Sequence, residues 1–149
     1  MAQVFISYTW DGKSAPRVHE LAEKLEREDG VEIVFDRFVK DGGPDEGWTR
    51  WCEKQVESDK VLIVMTEAYR KRYEAEPALQ ELESGVYSTF EAHILRRRIA
   101  KARGNVPFCR VVLLDPADQR YIPDLIDQTH FLYPDRYHEM VGWIRDEAR

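Results

Sequence analysis

Val61-Leu-Ile-Val-Met65 is the most apolar run of the chain, and it carries no polar alternation. A run of that length rich in branched side chains reads as a strand covered on both faces, as in the parallel sheets of α/β domains. Reading backwards, Trp48, Trp51, Cys52, Gln55 and Val56 share one helical face that ends near Ser58, and Asp36 to Gly47 form a loop with three glycines and a proline. Val31-Glu-Ile-Val-Phe35 is a second strand. Before it, Val18, Leu21, Ala22 and Leu25 recur at helical spacing from an N-cap at Ser14, with Pro16 in the first turn, until Asp29-Gly30 stops them. Gln3-Val-Phe-Ile-Ser7 opens the chain as another buried strand.

Reading forwards, Glu67 to Ser84 is a long connection of mixed loop and short helix, a candidate functional segment because compact domains keep most connections short. A helix carrying Glu91 runs to about Arg103 and closes at Gly104-Asn105. Phe108 to Leu114 is a further strand, followed after Asp115-Pro116 by an irregular stretch and a weaker strand at Thr129–Tyr133. A helix from Asp135 presents Tyr137, Met140, Val141 and Ile144. The expected strands are Val4–Ser7, Glu32–Phe35, Val61–Met65, Phe108–Leu114 and Thr129–Tyr133, alternating with helices. That alternation predicts an α/β fold: a flavodoxin-like five-stranded parallel sheet in the order 2-1-3-4-5, helices on both faces, over one domain spanning 1–149. The chain stops at a helix end, which fits a domain cut from a longer multidomain protein.

A net charge of −6 argues against sequence-independent binding to nucleic acid or anionic membrane. Arg96-Arg97-Arg98 is a local basic cluster that reads as a solvated helix face with snorkelling stems. Cys52 and Cys109 share no metal-type spacing and read as reduced core thiols of a cytoplasmic protein. With no apolar run near ~18 residues, neither a membrane helix nor a signal peptide is expected.

In the expected topology the first and third strands are neighbours where the strand order reverses, and ligands bind beyond their carboxyl ends. The loops there gather Tyr8, Trp10, Asp36, Trp48 and Glu91 around one cleft. Glu91 follows Tyr87 by one helical turn and precedes Ile94 and Leu95, a spacing that puts a carboxylate on the apolar side. Ser88-Thr-Phe-Glu91 also spells a capping box, which would use the same carboxylate locally. Trp48 and Trp51 fit a core stripe as well as a ligand platform, and Asp36 fits either a ribose contact or a turn start. A dinucleotide-binding turn or Walker loop is absent after the first strand, where Ser7-Tyr-Thr-Trp10 stands instead of glycines. The third strand ends Met65-Thr66 rather than in a phosphoacceptor aspartate, and His19, His93, His130 and His138 show no metal spacing.

Val4-Phe-Ile-Ser-Tyr8, Val34-Phe35-Asp36, the glycine-rich loop after it and Ser58-Asp-Lys-Val-Leu-Ile-Val-Met-Thr66 together resemble the TIR domain family across nearly the whole chain. Trp48-Thr-Arg-Trp51-Cys-Glu-Lys-Gln and Gly85 ahead of the glutamate helix are similar to its SEFIR-like bacterial branch. The resemblance implies an NAD⁺ glycohydrolase that breaks the nicotinamide–ribose bond and is activated by self-assembly, in bacterial immune defence or signalling. Tyr87-Ser-Thr-Phe-Glu91 matches the family's Trp-x-x-x-Glu motif with tyrosine in place of tryptophan. By that match Glu91 is the catalytic residue, and Ser7, Tyr8, Trp10, Asp36, Trp48 and Tyr87 line the NAD⁺ site, with no cofactor and no metal. A fixed carboxylate suits the oxocarbenium-like ribose formed as nicotinamide leaves. The chief rival that the resemblance implies is a non-catalytic adaptor that assembles with other TIR or SEFIR domains through the loop Arg37–Gly47 and helical faces, with a sensor domain in cis as a further partner. A nucleoside deoxyribosyltransferase on a similar fold is a third possibility.

Overall fold

The computed structural model describes residues 2–8, 15–34, 60–74, 95–102, 108–123 and 130–145. Five strands, β1 (Ala2–Ser7), β2 (Val31–Val34), β3 (Lys60–Val64), β4 (Cys109–Leu113) and β5 (His130–Leu132), form one sheet in the order β2-β1-β3-β4-β5. Every neighbouring pair is parallel, as the apolar runs require. Strand limits shift by a residue or two from those expected. β1 begins at Ala2 because Ala2 pairs with Val31, β3 begins at Lys60, opposite Val4, and β5 is confined to three residues.

Alternate residues of each strand face opposite layers. On one side Val4, Ile6, Leu62, Val64, Val112 and Phe131 pack under α1 (Ala15–Glu26) and α4 (Tyr137–Arg145). The expected stripes Val18, Leu21, Ala22, Leu25 and Tyr137, Met140, Val141, Ile144 are the buried faces of those helices. On the other side Phe5, Val61, Ile63, Val111 and Leu113 meet α2 (Glu67–Glu74) and α3 (residues 95–101), through Tyr69, Tyr73, Leu95 and Ile99.

Local chemistry sets the boundaries. Gly30 takes φ +79° in the turn after α1, a left-handed conformation that glycine enters without a Cβ clash. The start of the segment expected as mixed loop and short helix is the helix α2; Thr66 Oγ1 accepts the Tyr69 amide at 3.1 Å, capping it. The stretch expected as irregular after Asp115 contains a 3₁₀ helix, Pro116–Tyr121, whose first turn is held by Asp115 accepting from the Ala117 amide. α4 starts at Tyr137 rather than Asp135, because residues 133–136 form a turn first, where the Arg136 amide donates to the Leu132 carbonyl. At its far end the Lys60 ammonium reaches the carbonyls of Trp143 and of Ile144, the latter at 2.9 Å. A cation there satisfies carbonyls that a helix leaves unpaired and opposes the negative end of its dipole.

Candidate functional site

The carboxyl ends of β1 and β3 lie side by side, Ser7 opposite Ile63, and β2 flanks β1, so the switch point forms where the strand pattern put it. Two of the expected cleft residues, Ser7 and Tyr8, are described there. Ser7 is fully buried, and its hydroxyl lies 2.7 Å from that of Tyr69 across the β1–α2 interface. Tyr8, expected as a stacking platform in an open loop, is 3% exposed and packs among the α1-side residues instead, its hydroxyl 3.4 Å from His19 Nε2. Strand alternation is the reason: Tyr8 continues the inward row Val4, Ile6, and Ser7 continues the opposite row from Phe5.

Trp10, Asp36, Trp48, Tyr87 and Glu91, with the loop Arg37–Gly47, lie outside the described residues, and so does Cys52. Downstream of Glu91 in the sequence, Leu95 is fully buried with Ile99 against the β3–β4 face. Arg96 leans over Tyr73, its guanidinium 5.9 Å from the ring centroid, and Arg98 stacks 3.8 Å from the Phe108 centroid. Thus the heads of Arg96 and Arg98 lie over aromatic rings, where the snorkelling reading expected them in water, and Arg97 is exposed.

Residues that strand and motif reading passed over also shape this end of the sheet. Tyr69 holds Ser7, and the Thr66-x-x-Tyr69 cap spacing was the available signal. Arg17, on the first turns of α1, donates to the Leu114 carbonyl at 2.7 Å and ties α1 to the end of β4. The Asp118 carboxyl is raised from its usual range, by burial first and by Asp115 second, against the lowering effect of Arg120. Among the described residues no group of three His, Cys, Asp or Glu side chains is placed to hold a metal. Cys109 is a free, buried thiol at the start of β4, pushed up to about 12 by desolvation, which makes it inert rather than nucleophilic. No helix among the described residues is long and apolar enough to cross a membrane.

The family model of the SEFIR domain matches residues 2–143. Among solved structures, the chain is similar to a prokaryotic SEFIR domain at 24% identity and TM-score 0.62, covering 97% of this chain and 92% of that one. It is also similar to the IL-17 receptor B SEFIR domain at 12% identity and TM-score 0.58, covering 99% and 97% respectively. No curated protein matches the sequence.

Proposed function

Because the chain belongs to the SEFIR domain family, we propose that it is a homotypic assembly module, working by association with further copies of itself or with other SEFIR or TIR domains. The observation that carries this reading is the family match across residues 2–143. Supporting it, Ser7 and Tyr8, the two described residues at the switch point, turn their side chains into the packing. A surface module needs its core rigid and its recognition groups outside, and these two residues serve the core. The loop Arg37–Gly47 is the segment proposed to reach the neighbour, and a sensor domain in cis is a compatible arrangement. Sedimentation of the purified chain across a wide concentration range tests the reading: reversible growth in mass supports it, and a monomer throughout overturns it.

A second reading, NAD⁺ cleavage by the assembled form, is favoured by the placement of α3. Leu95 is buried against the sheet, and Glu91 stands four positions before it in the sequence. In this reaction the bond from ribose C1′ to the nicotinamide nitrogen breaks and the electron pair leaves with nicotinamide. Water then adds to C1′ and loses a proton, giving ADP-ribose; attack by an internal nucleophile gives a cyclic product. The Glu91 carboxylate would stabilise the cationic ribose, with Trp10, Asp36, Trp48 and Tyr87 around it. Clustering would hold the loop Arg37–Gly47 closed over the substrate. Nicotinamide release by the clustered chain and by Glu91→Gln decides it: a fall of ~10²–10³ in rate assigns the chemistry to Glu91, and no release from clustered wild type leaves assembly as the whole function.

A further inference from the structure

Lys24 stands where a helix ordinarily makes ion pairs, with Glu20 four positions before it on α1 and Glu28 four positions after it in the turn that follows. Among the described residues it forms no ion pair and no side-chain hydrogen bond. Both carboxylates accept tyrosine hydroxyls instead, Glu20 from Tyr133 at 3.1 Å and Glu28 from Tyr137 at 2.9 Å. The Lys24 ammonium lies over the rings of those same tyrosines, 4.1 Å from the Tyr137 centroid and 5.8 Å from that of Tyr133. The two rings meet edge to face, centroids 6.1 Å apart and planes at 71°, so they make two walls of one corner. Tyr133 and Tyr137 are buried while Lys24 is exposed, so the lysine stands between the corner and solvent. The neighbouring guanidiniums bind other atoms: Arg17 the carbonyls of Leu114 and Tyr133, Arg145 the Asp29 carbonyl and Glu28.

We infer that this corner is a binding site for a small quaternary ammonium compound of the choline type, and that Lys24 fills it as a tethered stand-in which the compound displaces. The chemistry of the walls selects that ligand. A ring face attracts a cation through its quadrupole but accepts no ordinary hydrogen bond, so a primary ammonium leaves its N–H donors to water there. A nitrogen carrying only carbon substituents has no such donors and can turn its methyl groups to both rings without loss. Glu20 and Glu28, on either side, favour a cation and disfavour a zwitterion that brings its own carboxylate. Displacement needs no backbone change, because a lysine head on a flexible, exposed stem moves freely into water. Tethering keeps the effective concentration of the lysine high, so it weakens the ligand by competition and sets the threshold at which the site fills. The site uses none of the residues expected around the switch point, and it is independent of both the assembly and the NAD⁺ readings.

The test titrates tetramethylammonium, choline and glycine betaine into the full chain and follows the methyl proton resonance of each ligand, which a ring face moves upfield. Tetramethylammonium and choline should show a saturable shift with wild type, and betaine should not. Lys24→Ala, at an exposed position, should remain folded by circular dichroism and bind choline roughly tenfold more tightly, because the competitor is gone. Lys24→Arg keeps a tethered cation and should bind no more tightly than wild type. Tyr137→Leu should abolish the shift; if that variant does not fold, the contrast between Lys24→Ala and Lys24→Arg decides alone. No saturable shift with Lys24→Ala, equal binding by the alanine and arginine variants, or binding confined to Lys24→Ala overturns the site. So does equal competition by potassium, which would assign the binding to the carboxylates, or capture of a trimethyllysine peptide without choline, which would assign it to a protein partner.

Discussion

On the α1–α4 side of the sheet the polar groups sit at the rim of an otherwise apolar layer, whereas on the α2–α3 side some are sealed inside it. At the rim, Tyr133 donates to Glu20 at 3.1 Å and Tyr137 to Glu28 at 2.9 Å, while the Lys24 ammonium lies 4.1 Å from the Tyr137 ring centroid. Each tyrosine there buries its ring and presents its hydroxyl to a carboxylate on α1 or in the turn after it, an arrangement that water can partly replace. Inside the other layer the Ser7–Tyr69 hydroxyl pair and the Cys109 thiol are shut away from solvent. A hydrogen bond there is shielded from water, so the same chemical group carries more weight on one side than on the other.

The largest effect should test whether the two layers are equal as cores. Leu21 and Ile99 are both fully buried, one on each side. Truncating either to alanine removes apolar contacts and leaves a cavity, at about 2–5 kcal/mol each by urea unfolding. A much smaller loss for Ile99→Ala would make α3 peripheral and break the symmetry of the sandwich.

Next comes Tyr69→Phe, which deletes the buried hydroxyl opposite Ser7 and should cost about 1–3 kcal/mol. A negligible loss would mean that the interior pair matters no more than a rim pair.

Alkaline unfolding separates the layers by pH. Burial holds the Cys109 thiol up to about 12, above its usual range, while the unfolded chain ionises near ~8.5. The folded state therefore keeps a proton that the unfolded state releases, so stability is intact below ~8.5 and falls above it by about 1.4 kcal/mol per pH unit. Tyr137 is also raised, by burial and by its bond to Glu28, so the rim joins the decline only above ~10, where an ordinary tyrosine ionises. Urea midpoints at pH 8, 9 and 10 should fall, and Cys109→Ala should flatten the slope between 9 and 10. An unchanged slope in that variant would remove the thiol as its source.

The smallest effect is expected from Tyr137→Phe, at about 0.5–1.5 kcal/mol, because Glu28 retains Arg145 at 3.2 Å and gains water. A loss exceeding that of Tyr69→Phe would reverse the contrast.

The sheet was readable because it rests on runs such as Val61–Met65 and Cys109–Leu113, where burial on both faces leaves no other placement for the side chains. α1 and α4 were readable because their stripes repeat at helical period. What escaped depends on contacts distant in sequence. Nothing near Ser7 announces Tyr69 as its partner, 62 positions away, and a serine at a strand end beside aromatic residues looks like a ligand contact until that partner is seen. Tyr8 could have been placed by carrying the alternation of Val4 and Ile6 one step further. The remaining expected site residues, Glu91 foremost, lie outside the described residues, and for Glu91 the sequence signals are the motif Tyr87-x-x-x-Glu91 and the spacing to Ile94 and Leu95.

The register that sets Val4 against Lys60 also governs how the chain reaches this structure. β1 lies between β2 and β3, so the middle of the sheet cannot be made from neighbours in sequence, and the chain must close a long loop before any β1–β3 bond repays the lost entropy. The closure penalty grows only with the logarithm of length, about 0.6 kcal/mol per doubling. Residues inserted between β2 and β3 should therefore slow folding only gently, whereas weakening the β1–β3 seam itself, as by proline at Ile6 or Leu62, removes the contact for which the loop was closed.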